Sequence, residues 1–218
     1  MNGRGFLSSL GRLERGGADV ERAFMTDPAL LEQLEGQQYL VLRPASDIAS
    51  FWDDSRESLR RVAPQEVSYP NTGHVTLRGF HEPHHVGALK EVLTEWAGRQ
   101  RQIDLRVEEI DGLPPPFQII IARLERTSSL VDAYADLTSL LDTTEFHRIG
   151  ELSLDEWVFH LSLIYAGRLS EAQWDAMHRT SRRSPDPQPA EVITSADFVW
   201  YANGVEHVDT LEFGGYAR

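Results

Sequence analysis

Two histidines, His74 and His160, open the same four-residue phrase 86 positions apart. His74-Val75-Thr76-Leu77 and His160-Leu161-Ser162-Leu163 each set an imidazole, a spacer, a small hydroxyl residue and a leucine inside an apolar run. An extended strand sends alternate side chains to opposite faces. His74 and Thr76 therefore share a face, with Val75 and Leu77 on the other; His160 and Ser162 share a face in the same way. Cleaving or forming a phosphodiester needs a base for the attacking oxygen and an acid for the leaving oxygen. Imidazole suits both roles near neutral pH, and hydroxyls can donate to the non-bridging oxygens, where charge must be held. Two such strands walling one cleft would supply these parts, and the scheme requires no metal and no cofactor. One copy of so short a motif carries little weight, because a half-buried His beside a Thr is commonly a satisfied polar pair. Two copies in matching places carry far more.

The surrounding pattern supplies matching places. A strand at Tyr39–Arg43 is stopped by Pro44, and Ser46 or Asp47 can cap a helix containing Ile48, Phe51, Trp52 and Leu59. Pro70–Gly73 reads as a turn into the first histidine strand, His74–Phe80; helical spacing over residues 86–98 and a strand at Ile103–Val107 close that half. After the proline-rich break at Gly112–Pro116 come a strand at Phe117–Leu124, a helix from Ser128 or Ser129 to Leu141, and the second histidine strand from about Trp157 to Tyr165. A helix capped by Ser170 follows, then an exposed loop over 181–190. Val192–Ala202 and Val205–Phe213 flank Asn203-Gly204, a strong hairpin signal. The order strand, helix, His strand, helix, strand occurs twice, a repeat of structure rather than of residues. The expectation is an α+β fold, bilobal and duplicated, with two sheets and one central cleft carrying both histidine strands. Residues 1–36 read as an N-terminal extension, weakly helical around Ala23–Leu34, and residues 37–218 as one bilobal domain.

Composition limits the substrates. The chain has 218 residues, no cysteine and a formal net charge of −13. Thiolate catalysis and cysteine-based zinc sites are excluded. A grip on long nucleic acid usually needs a basic face, and here Lys occurs once, at Lys90, so the positive charge is nearly all arginine. Arginine suits localised, bidentate phosphate recognition. The balance points to a nucleotide or a short RNA, not a long duplex and not a membrane. No run approaches a membrane span and the first residues lack the apolar core of a secretion signal, so a soluble, cytoplasmic monomer is expected.

The paired motifs, with their separation and element order over about residues 38–213, resemble the two-histidine (2H) phosphoesterase superfamily, in its branch of 2′-5′ RNA ligase-like proteins and cyclic phosphodiesterases. The proline-rich run before Phe117–Ile121 and the closing hairpin also look like that branch. The resemblance implies metal-independent opening of 2′,3′-cyclic phosphates or handling of 2′-5′ linkages. It implies His74 and His160 as the acid–base pair, with Thr76 and Ser162 as phosphate-oxygen ligands, and leaves the natural substrate open. A cyclic nucleotide or oligonucleotide messenger is a second substrate choice, and a noncatalytic nucleotide- or RNA-end-binding module is a reading of a different class.

Arg78 continues the His74/Thr76 face if the strand is regular, so it is a candidate phosphate ligand, with a rim salt bridge as the alternative. Arg43, Arg123 and Arg168 are weaker candidates at strand ends. Tyr165 falls on the parity opposite His160 and is expected to pack. His81, His84 and His85 lie around Pro83 without fixed metal-ligand spacing and read as a solvated loop.

Overall fold

Both histidine phrases fold as neighbouring strands in the middle of one antiparallel sheet. The structure is a computed structural model and describes residues 23–215. In chain order its elements are α1 (Pro28–Gln33), β1 (Gln37–Leu42), α2 (Asp47–Arg60), β2 (Val75–His81), α3 (Val86–Arg99), β3 (Ile103–Leu113), β4 (Ile119–Leu124), α4 (Ser128–Leu141), β5 (Arg148–Ile149), β6 (His160–Tyr165), α5 (Glu171–Ser181), β7 (Ala190–Ile193), β8 (Ser195–Ala202) and β9 (Val205–Glu212). The sheet runs β7-β3-β4-β6-β2-β1-β8-β9, with the short β5 on β2. β2 and β6 touch through one pair, Val75 opposite Leu161. The sheet is therefore two wings joined at a narrow seam, and the seam carries the histidines.

The wings do not coincide with the two halves of the chain. β3, from the first half, forms a hairpin with β4 of the second, and β8, from the second half, lies on β1 of the first. The apolar run expected as one strand over 192–202 is divided at Thr194. β7, before it, pairs with β3, and β8, after it, pairs with β1, so its two parts serve opposite wings. β3 also runs on to Leu113 instead of stopping at Val107; its later residues Ile110 and Asp111 are buried and its end meets Pro114.

Helical spacing decides what lies over the sheet. In α2 the buried residues are Ile48, Trp52, Ser55 and Leu59, one stripe at helical intervals, and this helix packs on β6 and β7 of the other wing. α4 buries Leu130, Ala133, Tyr134, Leu137 and Leu141. Its cap is Thr127, whose hydroxyl accepts from the Leu130 amide, one residue before the serines expected in that role. Ser170 caps α5 through a reciprocal pair with Gln173. A single apolar core joins these helices to the rear face of the sheet, each fully buried Leu or Ile contributing about 1.5–3 kcal/mol.

Of the segment expected as an extension, residues 1–22 lie outside the described structure. Residues 23–34 pack on the front face of the sheet, where Phe24 is buried with Val41, Val199 and Tyr201. The Glu206 carboxylate accepts from the Phe24 and Met25 amides at 2.9 and 2.8 Å and so pins this strap. Among the described residues no helix is long and apolar enough to cross a membrane.

Candidate active site

The front face of the seam is ordered in two rows, read directly from strand register. One row holds Arg123 (β4), His160 (β6), Thr76 (β2), Val41 (β1) and Asp197 (β8). The next holds Asp111 (β3), Ile121 (β4), Ser162 (β6), His74 (β2) and Arg43, which lies one step beyond the Leu42–Val75 pair. Each row reads acid, branched apolar, hydroxyl, imidazole, arginine, and the two run in opposite directions. The histidines are diagonal neighbours across the seam. In a regular antiparallel pair that diagonal is about 7–8 Å, room for a phosphorus centre between two imidazoles.

Both rings are held alike. His74 Nδ1 lies 3.2 Å from the Thr72 carbonyl and His160 Nδ1 lies 2.7 Å from that of Val158, in each case the residue two positions earlier. A carbonyl only accepts, so each Nδ1 carries the proton, and Nε2 of the neutral ring has a lone pair to offer. Burial pushes the His74 imidazole down to about 4; the Thr72 carbonyl opposes this, and the charges of Arg43 and His160 add to it. His160 is lowered by the same main cause, with Arg123 as the nearby cation.

A second shared device settles the faces of later residues. The β1–β2 register slips between Leu40 and Val41, leaving Leu77 as the extra residue; the β4–β6 register slips between Ile120 and Ile121, leaving Leu163 as the extra residue. Each phrase thus ends in a β-bulge, which reverses the alternation beyond it. Arg78 is consequently turned into the core. It is fully buried, bonds Glu151 at 2.9 Å and Thr138 at 2.6 Å, and lies over the Tyr134 ring. The expectation that Arg78 continues the His74/Thr76 face is corrected: the bulge places it on the other side of the sheet, away from the cleft. The same reversal brings Tyr165 onto the His160 and Ser162 face, where it lines the cavity beside His74, so it is a wall of the site and not packing. No feature of the sequence marks a bulge in an otherwise uniform apolar strand.

A cavity of about 380 Å³ lies under the strap on the first-histidine side of the seam, walled by His74, Thr76, Tyr39, Tyr165, Tyr201 and Phe24; His160 and Ser162 stand outside its lining. The Phe24 ring meets His74 edge-on at 5.0 Å and covers the Arg43 guanidinium at 3.8 Å. Behind the seam, Trp52 joins the two phrases. Its Nε1 donates to the Ser162 carbonyl at 2.7 Å, and its ring lies so close to Gly73 that a Cβ there would stand 2.9 Å away. Glycine is required beside His74 by that approach.

Arg43 and Arg123, weak candidates in sequence, take equivalent places beside the histidines. Arg43 Nε bonds Asp197 at 2.8 Å, and Arg123 bonds Asp111 at 2.5 Å. Arg168 is exposed beyond β6. Glu82 engages His85 and the His147 amide, and among the described residues no group of three or more His, Asp or Glu is arranged to hold a metal.

No protein-family model and no curated protein matches the sequence. Solved structures do match, and this chain shares their α+β fold. TT0787 of Thermus thermophilus is 12% identical with a TM-score of 0.61, covering 83% of this chain and 100% of its own. E. coli LigT, in complex with 3′-AMP, is 15% identical with a TM-score of 0.52 over 81% and 95% of the two chains. Usb1 of Kluyveromyces marxianus is 10% identical with a TM-score of 0.52 over 83% and 100%.

Proposed function

We propose that the protein is a metal-independent phosphodiesterase that opens 2′,3′-cyclic phosphates of nucleotides or short RNA ends. The observation carrying this reading is the pair of diagonal imidazoles, both tethered at Nδ1 to a carbonyl two residues back, each beside a hydroxyl on the same face. In the hydrolytic direction water attacks phosphorus and gives its proton to Nε2 of one of the two histidines, both of which burial favours in the neutral form. The bond from phosphorus to one ribose oxygen breaks, and that oxygen takes a proton from Nε2 of the other histidine. A phosphomonoester and a free ribose hydroxyl result. Bound phosphate stabilises one imidazolium beside it, which lets the acid histidine carry its proton in the complex although both rings are lowered in the free protein. Thr76 and Ser162 donate to the non-bridging oxygens. The reverse course, with a 5′-hydroxyl in place of water, forms a 2′-5′ linkage. A net charge of −13 supports a nucleotide or a short end as ligand over a long polyanion.

Turnover of 2′,3′-cyclic mononucleotides and of short cyclic-phosphate-ended RNA in EDTA, with His160→Ala in parallel, tests the reading. Product from the wild type alone supports it. Product from both proteins would defeat the two-histidine chemistry, and tight binding without product would move the protein to the binding-module class.

A further inference from the structure

The two rows leave one symmetric feature outside the acid–base scheme. Arg43 stands directly across a strand pair from His74, and Arg123 directly across from His160. Each arginine is held by an aspartate from the next strand outward, Asp197 on β8 and Asp111 on β3, with side chains only 10% and 12% exposed. Asp197 is itself fixed by the Thr210 hydroxyl at 2.9 Å, and Asp111 by His178 Nε2 at 2.8 Å. In both pairs the aspartate comes from a strand one step farther from the seam than its arginine's strand. We propose that Arg43–Asp197 and Arg123–Asp111 are opposed ion-pair dipoles whose positive ends converge on the reacting phosphate, stabilising the charge it gains in the transition state. The proposal rests on the phosphodiesterase reading for its chemistry, but on strand register for its geometry.

An attached carboxylate changes what the arginine can do. A bare guanidinium would attract any phosphate at long range; an ion pair carries no net charge and has a short-range field. Such a field adds little to the capture of a substrate and more to the step in which negative charge builds at a fixed point. It also disfavours a second positive charge on the neighbouring ring, in keeping with the effect of each arginine on its own histidine. Other groups at these pairs include Thr72 and Phe24 on Arg43, and Glu109, Arg182 and His178 around Arg123 and Asp111. Apart from the ion pair's own aspartates, the charged groups among them, Glu109 and Arg182, oppose one another at 3.4 Å.

The test uses Arg43→Gln and Arg123→Gln, with Arg43→Lys and Arg123→Lys as charge-retaining variants. Two readouts are taken: steady-state kinetics on a 2′,3′-cyclic nucleotide, and NMR titration of the imidazoles in the free protein. Each Gln variant is expected to lower kcat by about tenfold to a hundredfold with KM changed less than about threefold, and to raise the titration midpoint of its own histidine. The Lys variants should retain most of both properties. A rise in KM alone, or imidazole midpoints unmoved by either Gln substitution, would overturn the proposal. A Lys variant as impaired as Gln, with an equal loss of melting temperature, would reduce the arginines to structural braces. If the wild type turns over no cyclic phosphate, the phosphodiesterase reading fails by itself. The titrations then decide the electrostatic part, since they need no substrate.

Discussion

The first and second histidine strands share backbone geometry to the residue, yet their imidazoles meet different surroundings. Each has a ring tethered two residues back, a hydroxyl two residues on, a bulge at the following leucine and an arginine across the strand pair. His74, however, lies under the strap, with the Phe24 ring at its edge, and sits in the walled cavity. His160 has Tyr165 and Ser162 on its own strand, and among the described residues no aromatic ring meets it as Phe24 meets His74. Beyond the bulge the halves part again, with buried Arg78 in one and buried Ile164 in the equivalent place of the other. The duplicated backbone fixes where the two imidazoles stand; unduplicated covering segments give them different surroundings. Two chemically identical groups can thereby take opposite roles.

The largest test removes each ring. His74→Ala and His160→Ala should each lower kcat by about a thousandfold or more, with circular dichroism unchanged. A large loss in only one of them would break the equivalence of the halves. Next is the buried difference. Arg78→Ala leaves a large buried void and removes one of the two arginines on Glu151, Arg148 being the other, and should destabilise the protein by about 3 kcal/mol, read from denaturant midpoints, while activity per folded molecule stays near wild type. If activity fell without loss of stability, Arg78 would belong to the site after all. Thr76→Ala and Ser162→Ala should each cost about tenfold to a hundredfold in kcat, and similar losses would support a phosphate held on the seam. The smallest effect separates the rings themselves. Phe24→Ala should raise the His74 midpoint from about 4 toward its ordinary value of 6.5 and leave His160 in place, as followed by imidazole NMR. Linkage gives a companion result. Between pH 6.5 and 4 the unfolded chain binds a proton at residue 74 that the native chain refuses, so stability falls as pH falls through that window. His74→Gln should flatten the dependence there.

Much of this was open to a reader of the sequence, because the informative signals are local and periodic. His74, Thr76, His160 and Ser162 share a face by simple alternation, and the helices follow from apolar stripes such as Ile48, Trp52 and Leu59. Long-range register was hidden. Arg78 and Tyr165 each lie one residue past a bulge, and a single extra residue in a ladder changes the face of everything after it. Arg43 and Arg123 carry no motif; their importance comes from the strands they face. β7 and β8 read as one strand because nothing in the apolar run Val192–Trp200 reports that Thr194 passes from one wing to the other. The strap went unread for a similar reason, since Phe24 finds its partners on strands far along the chain.

The exchange of β3 and β8 between the wings bears on how the protein is made. During synthesis both histidine phrases are complete by residue 163, but β1 still lacks its outer neighbour until Ser195–Ala202 has been added. The pairings that finish the site are distant in sequence, and such contacts form late and slowly. A chain ending before Ser195 would therefore contain every acid–base residue and no working cleft, detectable as loss of a cooperative melting transition. The proposed reactive centre is thus kept from function until residues 195–202 have joined it, a safeguard written into topology and absent from the motifs.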